Sequence, residues 1–344
     1  GDVARRILEA LKAPHSVCGH EVSSSASVGI AVFPQDGQDA DTLLRCADMA
    51  MYEAKAQGPG RHQFYQHSMG QAILRRIELE KYLRHALERR ELSVRYQPRV
   101  DIRSDRMVGM EALIRWNSPE LGWVQPREFI PVAEETRLIV PIGAWVLDTA
   151  CAQLAHWQSR GWSGLRMSVN VSSEQFASSD VAKTVTDALR ANNHQPEALE
   201  LEITESLILA EDERTSLALR DLRAIGVAIA LDDFGTGYSS LSFLTRFPLD
   251  VLKIDRSIAS KVEGDPAAAS IVEAVVTMGR RMGLRIVAEG VDSIGQALRI
   301  RELGCDEIQG FLVSQAVSAE EMCQFYLDWQ GLEPVSYTHL RSHE

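Results

Sequence analysis

From residue 93 onward, short apolar runs rich in β-branched residues alternate with longer stretches whose apolar positions recur every three or four residues. The short runs predict strands over 93–102, 107–115, 166–172, 199–204, 227–232, 251–255, 285–289 and 307–313. The longer stretches predict helices over 139–160, 178–191, 211–225, 266–282, 293–303 and 319–329. About eight strands in roughly 250 residues, mostly separated by helices, predict an α/β chain built as a TIM-type (β/α)8 barrel. Only a short connection at Ser104 and Asp105 separates the first two strands, which predicts a hairpin with one antiparallel strand.

Ahead of the barrel the periodicity predicts a helix over 3–12, a strand over 28–34 and a second helix over 40–56, ended by Gly58, Pro59 and Gly60. One strand and two helices close no core of their own. A polar helix over 68–91, with Leu74, Ile77, Leu79, Leu83 and Leu87 as its apolar stripe, joins this segment to the barrel. The expected division is 1–66 for the N-terminal remnant, 67–91 for the linking helix and 71–331 for the barrel domain. Residues 335–344 resemble a translated sequencing adapter and carry no fold argument; His339 and His343 receive no metal role.

The chain has 344 residues with 45% hydrophobic content, enough for one large domain and a smaller piece. Lysine and arginine number 36 against 48 acids, a net charge of -12 that argues against DNA or RNA as a partner. A small anionic ligand stays compatible where metal ions supply positive charge. Five scattered cysteines without a Cys-x-x-Cys pair suggest neither a disulfide framework nor a zinc site, and fit a reducing, cytoplasmic setting. The most apolar segment, 138–155, is interrupted by Pro141 and Asp148 and reads as a core helix rather than a membrane span. The chain begins with Gly, which suggests a piece of a longer protein whose further N-terminal regions could carry a membrane anchor.

The strands end in residues that a core would not select. The run ending at Leu231 stops at Asp232 and Asp233, two adjacent carboxylates before a glycine-rich turn. Mutual repulsion raises the pKa of one acid in such a pair unless a cation neutralises it. Other strands reach Glu111, Asn170, Glu202 (with Glu205 just beyond), Lys253, Glu289 and Gln309. Each alone has an ordinary explanation as a helix cap or interior ion pair; repetition over seven strands does not. Five carboxylates, an Asn and a Lys on one rim suit Mg2+ or Mn2+ rather than zinc. With two such ions they make a phosphoester-hydrolysis constellation. Glu200, two residues before Glu202 on the same face, is expected deeper in the barrel, paired with an interior cation. Trp145 and Trp157 are expected in the core.

Taken together, YQP at 96–98, EALIRW at 111–116, SVNVS at 168–172, ELEITE at 200–205, DDFGTG at 232–237, LKID at 252–255, AEGVD at 288–292 and QGF at 309–311 resemble an EAL domain. That is the family of cyclic di-GMP phosphodiesterases. SVGIAVFPQDG at 27–37 and the helix LLRCADMAMYEAKAQGPGRHQF at 43–64 resemble the C-terminal third of a GGDEF (diguanylate cyclase) domain, without its signature loop. The resemblance implies that Glu111, Asn170, Glu202 and Asp232 ligate one metal, with Asp232 bridging to a second that Asp233 helps hold. It implies that Lys253 and Glu289 position the attacking water, that Gln97 and Arg115 contact the nucleotide, and that Gln309 donates a hydrogen bond near the site. Glu205 resembles the residue anchoring the loop 234–240, which in the family couples the metals to a homodimer interface. Asp292 departs from the family's usual Glu, and its shorter side chain is expected to weaken a site contact and slow turnover.

The function so implied is bacterial second-messenger signalling: metal-dependent hydrolysis of cyclic di-GMP to linear pGpG. The alternatives are an EAL-type receptor that binds cyclic di-GMP without useful turnover, and a dimerisation or regulatory module.

Overall fold

The computed structural model describes residues 1–332, apart from 13–14, 18–19, 23–24, 57, 59, 210–211, 236–243, 245 and 330. The tail at 335–344 and the loop expected to respond to Glu205 beyond Gly235 therefore lie outside the described residues. The chain divides into two compact units, Gly1–Tyr82 and Leu83–Glu344.

The first unit has helices Asp2–Lys12 and Ala40–Ala56, and an antiparallel pair of short strands, His15–Val17 and His20–Val22. The expected strand over 28–34 is shorter, Val28–Ile30, and the segment through Phe64 does not continue as helix. After Gly60 turns the chain, His62–Phe64 pairs in parallel with Val28–Ile30. Helix His67–Ala86 stops short of the expected residue 91, and two of its stripe residues, Leu74 and Ile77, are exposed while Leu79 and Leu83 are buried.

The second unit is a closed eight-stranded barrel. Its strands are β1 (Leu92–Asp101), β2 (Arg106–Ser118), β3 (Arg166–Asn170), β4 (Leu199–Thr204), β5 (Ala228–Phe234), β6 (Val251–Ile254), β7 (Arg285–Ala288) and β8 (Glu307–Ile308). β1 runs antiparallel to both β2 and β8, and every other barrel pairing is parallel. Helices Ile139–Ser159, Val181–Ala191, Glu213–Ile225, Pro266–Arg281 and Ile294–Leu303 fill the crossovers. Strands buried on both faces read as continuous apolar runs. Thus Leu201, Ile203, Ile229, Leu231, Leu252, Ile254 and Ile286 are fully buried. Asp212, Asp265 and Ser293 cap helices by accepting backbone N–H bonds, which fixes where each crossover turns.

β8 is only two residues long, not 307–313. Gly310 brings the chain against the backbone of Val291, where any Cβ would collide. There Val291 donates to the Gln309 carbonyl at 3.1 Å and Leu312 donates to the Val291 carbonyl at 3.0 Å, ending the strand ladder. The helix expected over 178–191 begins at Val181, and a separate short helix, Ser173–Ser178, precedes it. A helix at Pro126–Glu135 and a short strand at Gly122–Val124, paired antiparallel with β2, were not expected. Trp157 is fully buried, edge-on to Tyr96 and stacked on Trp162, whereas Trp145 is only half-buried.

Ala230, Val251 and Val287, on three successive strands, form a buried apolar cluster. Towards the N-terminal end of the parallel strands, Glu200 meets Arg99 at 2.6 Å and Arg285 at 3.2 Å. Glu307 meets Arg99 at 2.8 Å and Arg166 at 2.5 Å. This is the interior cation expected for Glu200, supplied twice. Towards the C-terminal ends lies the candidate site.

Candidate functional site

Alternation along each strand sets the lumen face. β4 turns both Glu200 and Glu202 inward, and the register places Glu202 beside Asn170 on β3 and Ala230 on β5. β2 contributes Glu111, β5 Asp232 and Asp233, and β6 Lys253; Glu289 and Gln309 sit just past the ends of β7 and β8. The ladder slips between Leu231 and Phe234, so the two aspartates stand at a bulge, a device that re-aims side chains. Asp233 has a left-handed backbone, φ 57°, which aspartate tolerates better than most residues. Gly235 follows at φ 100°, with Ile258 filling the space a Cβ would need.

Lys253 is the hub. Its Nζ lies 2.5 Å from Glu289 Oε1, 2.7 Å from Glu202 Oε2, 3.2 Å from Asp232 Oδ1 and 3.7 Å from Glu111 Oε2. Asn170 Nδ2 donates to Glu111 Oε1 at 2.6 Å, and Gln309 Nε2 donates to Glu111 Oε2 at 2.6 Å. Gln309 Nε2 also donates to Gln97 Oε1 at 3.1 Å, and Gln97 Nε2 donates to the Ser314 carbonyl. The structure therefore brings together Glu111, Asn170, Glu202, Asp232, Lys253, Glu289, Gln309 and Gln97.

One ammonium faces an excess of acids. Burial disfavours the Lys253 charge, but Asp232, Glu111, Glu202 and Glu289 outweigh it and hold its pKa well above the ordinary lysine value. Burial and repulsion from Glu111 push Glu202 well up against the pull of Lys253. Burial is also the first cause pushing Glu289 to about 8, opposed by Lys253 and reinforced by Asp232. Burial and Asp232 raise Asp233. At Glu111 burial is overcome by Lys253 and the amides of Gln309 and Asn170, and its pKa falls.

This arrangement fits a cation. Among the described residues no donor reaches the buried Glu202 Oε1, a costly state for a carboxylate oxygen. Asp232, Asp233 and Glu289 each offer an oxygen, all within 4.8 Å of one another. The donor set is oxygen throughout, so it fits a hard divalent ion.

Three expected residues stand apart from this cluster. Arg115 lies further out on the same face of β2 and donates to the Ile114 carbonyl at 2.9 Å. Glu205 begins helix Glu205–Leu209, buried, with neither carboxylate oxygen hydrogen-bonded among the described residues. Asp292 Oδ2 accepts from Arg256 at 2.8 Å and its Oδ1 from the Phe311 N–H at 3.1 Å. Asp292 thus ties the segment that begins at Arg256 to the one that follows β8. Arg95 was missed, although its alternation with Gln97 on β1 puts it on the same face.

Residues 80–316 match the EAL domain family, and residues 1–61 match the diguanylate cyclase, GGDEF domain family. The chain is 42% identical over 93% of its length to the bifunctional diguanylate cyclase/cyclic di-GMP phosphodiesterase MucR of Pseudomonas aeruginosa, covering 47% of that protein. It is 37% identical over 94% of its length to the cyclic di-GMP phosphodiesterase PdeR of Escherichia coli, covering 49% of it. The chain thus spans about half the length of these relatives. A solved structure of the PaMucR phosphodiesterase in complex with c-di-GMP superposes with a TM-score of 0.68 at 44% identity, covering 71% of this chain and 99% of that one. Among the described residues no helix is long and apolar enough to cross a membrane. With the family motifs, the closed barrel and the acid ring at its C-terminal rim all in register, the chain belongs to the EAL domain family.

Proposed function

We propose that this chain hydrolyses cyclic di-GMP to linear pGpG, using Mg2+ or Mn2+. The observation that carries this is the intact ring: five carboxylates, Asn170 and one buried lysine converge where a barrel performs its chemistry. Relatives named as cyclic di-GMP phosphodiesterases, and a neighbour with c-di-GMP bound, support the substrate.

Glu111, Asn170, Glu202 and Asp232 would hold one ion, and Asp232 with Asp233 a second. When bound, the ions supply positive charge for the reacting phosphodiester and acidity for the attacking water. Lys253 and Glu289, 2.5 Å apart, orient that water, and Glu289 takes its proton. The water oxygen bonds to phosphorus as the ribose 3′ oxygen leaves. Gln309 and Asn170 fix both oxygens of Glu111, so its orientation does not depend on substrate. Gln97 and Arg115 contact the nucleotide, the guanidinium suiting a phosphate oxygen. Glu205 anchors the loop that follows Phe234 and couples it to a homodimer. The EAL unit spans 71–331 in this reading, the linking helix 67–91, and the GGDEF-family segment 1–66.

The test is hydrolysis of cyclic di-GMP with either metal, beside Glu111→Ala. Linear pGpG is expected from the parent chain, and at least a ~100-fold lower kcat from the variant. Binding without turnover under both metals would make the chain a receptor instead. A folded chain that neither binds nor hydrolyses would leave only the dimerisation or regulatory role.

A further inference from the structure

The β1–β2 hairpin carries lumen-face residues that the acid ring does not use. Pairing sets Gln97 opposite Glu111, Arg95 opposite Leu113 and Ser93 opposite Arg115. Glu111, Leu113, Arg115 and Asn117 therefore run outward along one face, with Arg95 beside them. Asn117 in turn pairs with Trp123 on the short strand Gly122–Val124, which brings an indole to the outer end of that face.

Trp123 is 58% exposed, an unusual state for the most costly side chain to leave in water. The Arg95 guanidinium lies over its ring, 6.0 Å from the centroid. An indole covered on one side by a cation and open to solvent is a half-finished stack, which a planar base completes. The cations beside it are under-neutralised. Among the described residues Arg115 has no carboxylate within 4.0 Å, and Arg95 has only the exposed Glu321 at 3.8 Å. Burial and the nearby Arg95 both lower the pKa of Arg115, a repulsion that an incoming anion relieves.

We propose that Trp123 and Arg95 form a base-stacking subsite at the barrel rim, where the outlying guanine of the dinucleotide lies on the indole and its phosphate meets Arg95 and Arg115. This rests on the phosphodiesterase reading for the identity of the nucleotide. Asn117 stands six residues beyond Glu111, about 20 Å along an extended strand. The subsite thus receives the base remote from the reacting phosphate and tightens binding without entering the chemistry.

The experiment uses the whole chain with Mn2+ and cyclic di-GMP. Trp123→Ala should raise KM about 5- to 150-fold, the range found for losing one base–aromatic stack, with kcat within about threefold. Trp123→Phe should restore KM to within about fivefold of the parent, since a phenyl ring also stacks. The nucleotide should also quench parent tryptophan fluorescence, and the quench should vanish in Trp123→Phe. An unchanged KM in Trp123→Ala, in a parent that turns over, would overturn the subsite and leave the enzyme. A parent that does not hydrolyse the nucleotide, yet shows a quench that Trp123→Phe abolishes, would overturn the phosphodiesterase reading and leave the subsite standing.

Discussion

Asp292 holds together two stretches of the barrel rim. The family resemblance suggests a carboxylate reaching the site, but here both oxygens are engaged elsewhere, by the exposed Arg256 and by the Phe311 amide. The ion pair is largely solvated, so it contributes at most ~1 kcal/mol. The amide bond matters more, because Phe311 follows Gln309 by two residues and Gln309 fixes Glu111. This geometry predicts a positioning role for Asp292 through the segment after β8. Asp292→Asn keeps an acceptor for the Phe311 amide and should hold kcat within about threefold. Asp292→Ala removes it and should lower kcat about three- to tenfold, with KM little changed. Steady-state kinetics of the two variants decides the matter. Equal kcat in Asp292→Ala and the parent would remove the positioning role. A rise of more than about tenfold in Asp292→Glu would instead restore the direct contact that the resemblance suggested.

Elements carry two polar layers, and β4 supplies both with residues two apart. Burial opposes ionisation of Glu200, yet Arg99 and Arg285, helped by the Ser168 hydroxyl, hold its pKa at about 2. A depressed carboxylate stabilises the fold above its unfolded pKa, and that contribution is lost as pH falls towards 2. Arg99→Met leaves Glu200 and Glu307 short of charge and should cost about 3–5 kcal/mol. Adding Glu200→Gln should recover part of it. Urea unfolding at pH 7 measures both; a single variant within ~1 kcal/mol of the parent would mean water replaces Arg99. Much of this architecture was legible in the sequence. Strands buried on both faces announce themselves as apolar runs, and acids at their ends declare the rim. The extent of β8 was not, because Phe311, Leu312 and Val313 prolong the apolar run while Gly310 turns the chain against Val291. Nor was the strand at Gly122–Val124, three residues whose only local signal is the preceding Gly turn. The partners of Glu200 were legible as a need for an interior cation. Their identities were not, since Arg99 and Arg285 come from strands remote in sequence.

At the scale of the whole molecule, the boundary between the two compact units falls after Tyr82, within the helix His67–Ala86. The functional residues from Arg95 to Gln309 all belong to the second unit. The first unit holds short strands and exposes Phe33, Leu44, Met51 and Phe64, apolar surface that favours self-association. A chain of residues 67–332 keeps the helix intact and removes that surface. It should unfold in a single cooperative transition and hydrolyse cyclic di-GMP with kcat/KM within about threefold of the 344-residue chain. Light scattering should show that it stays free of large aggregates at concentrations where the longer chain does not. Cutting instead at residue 83 severs the helix and exposes the backbone groups of its last turn, so lower stability is expected than from the cut at 67. A tenfold or greater loss of kcat/KM in residues 67–332, with folding intact, would mean that the GGDEF remnant takes part in forming the site. The dependence would then lie in the first unit, because every member of the acid ring would still be present.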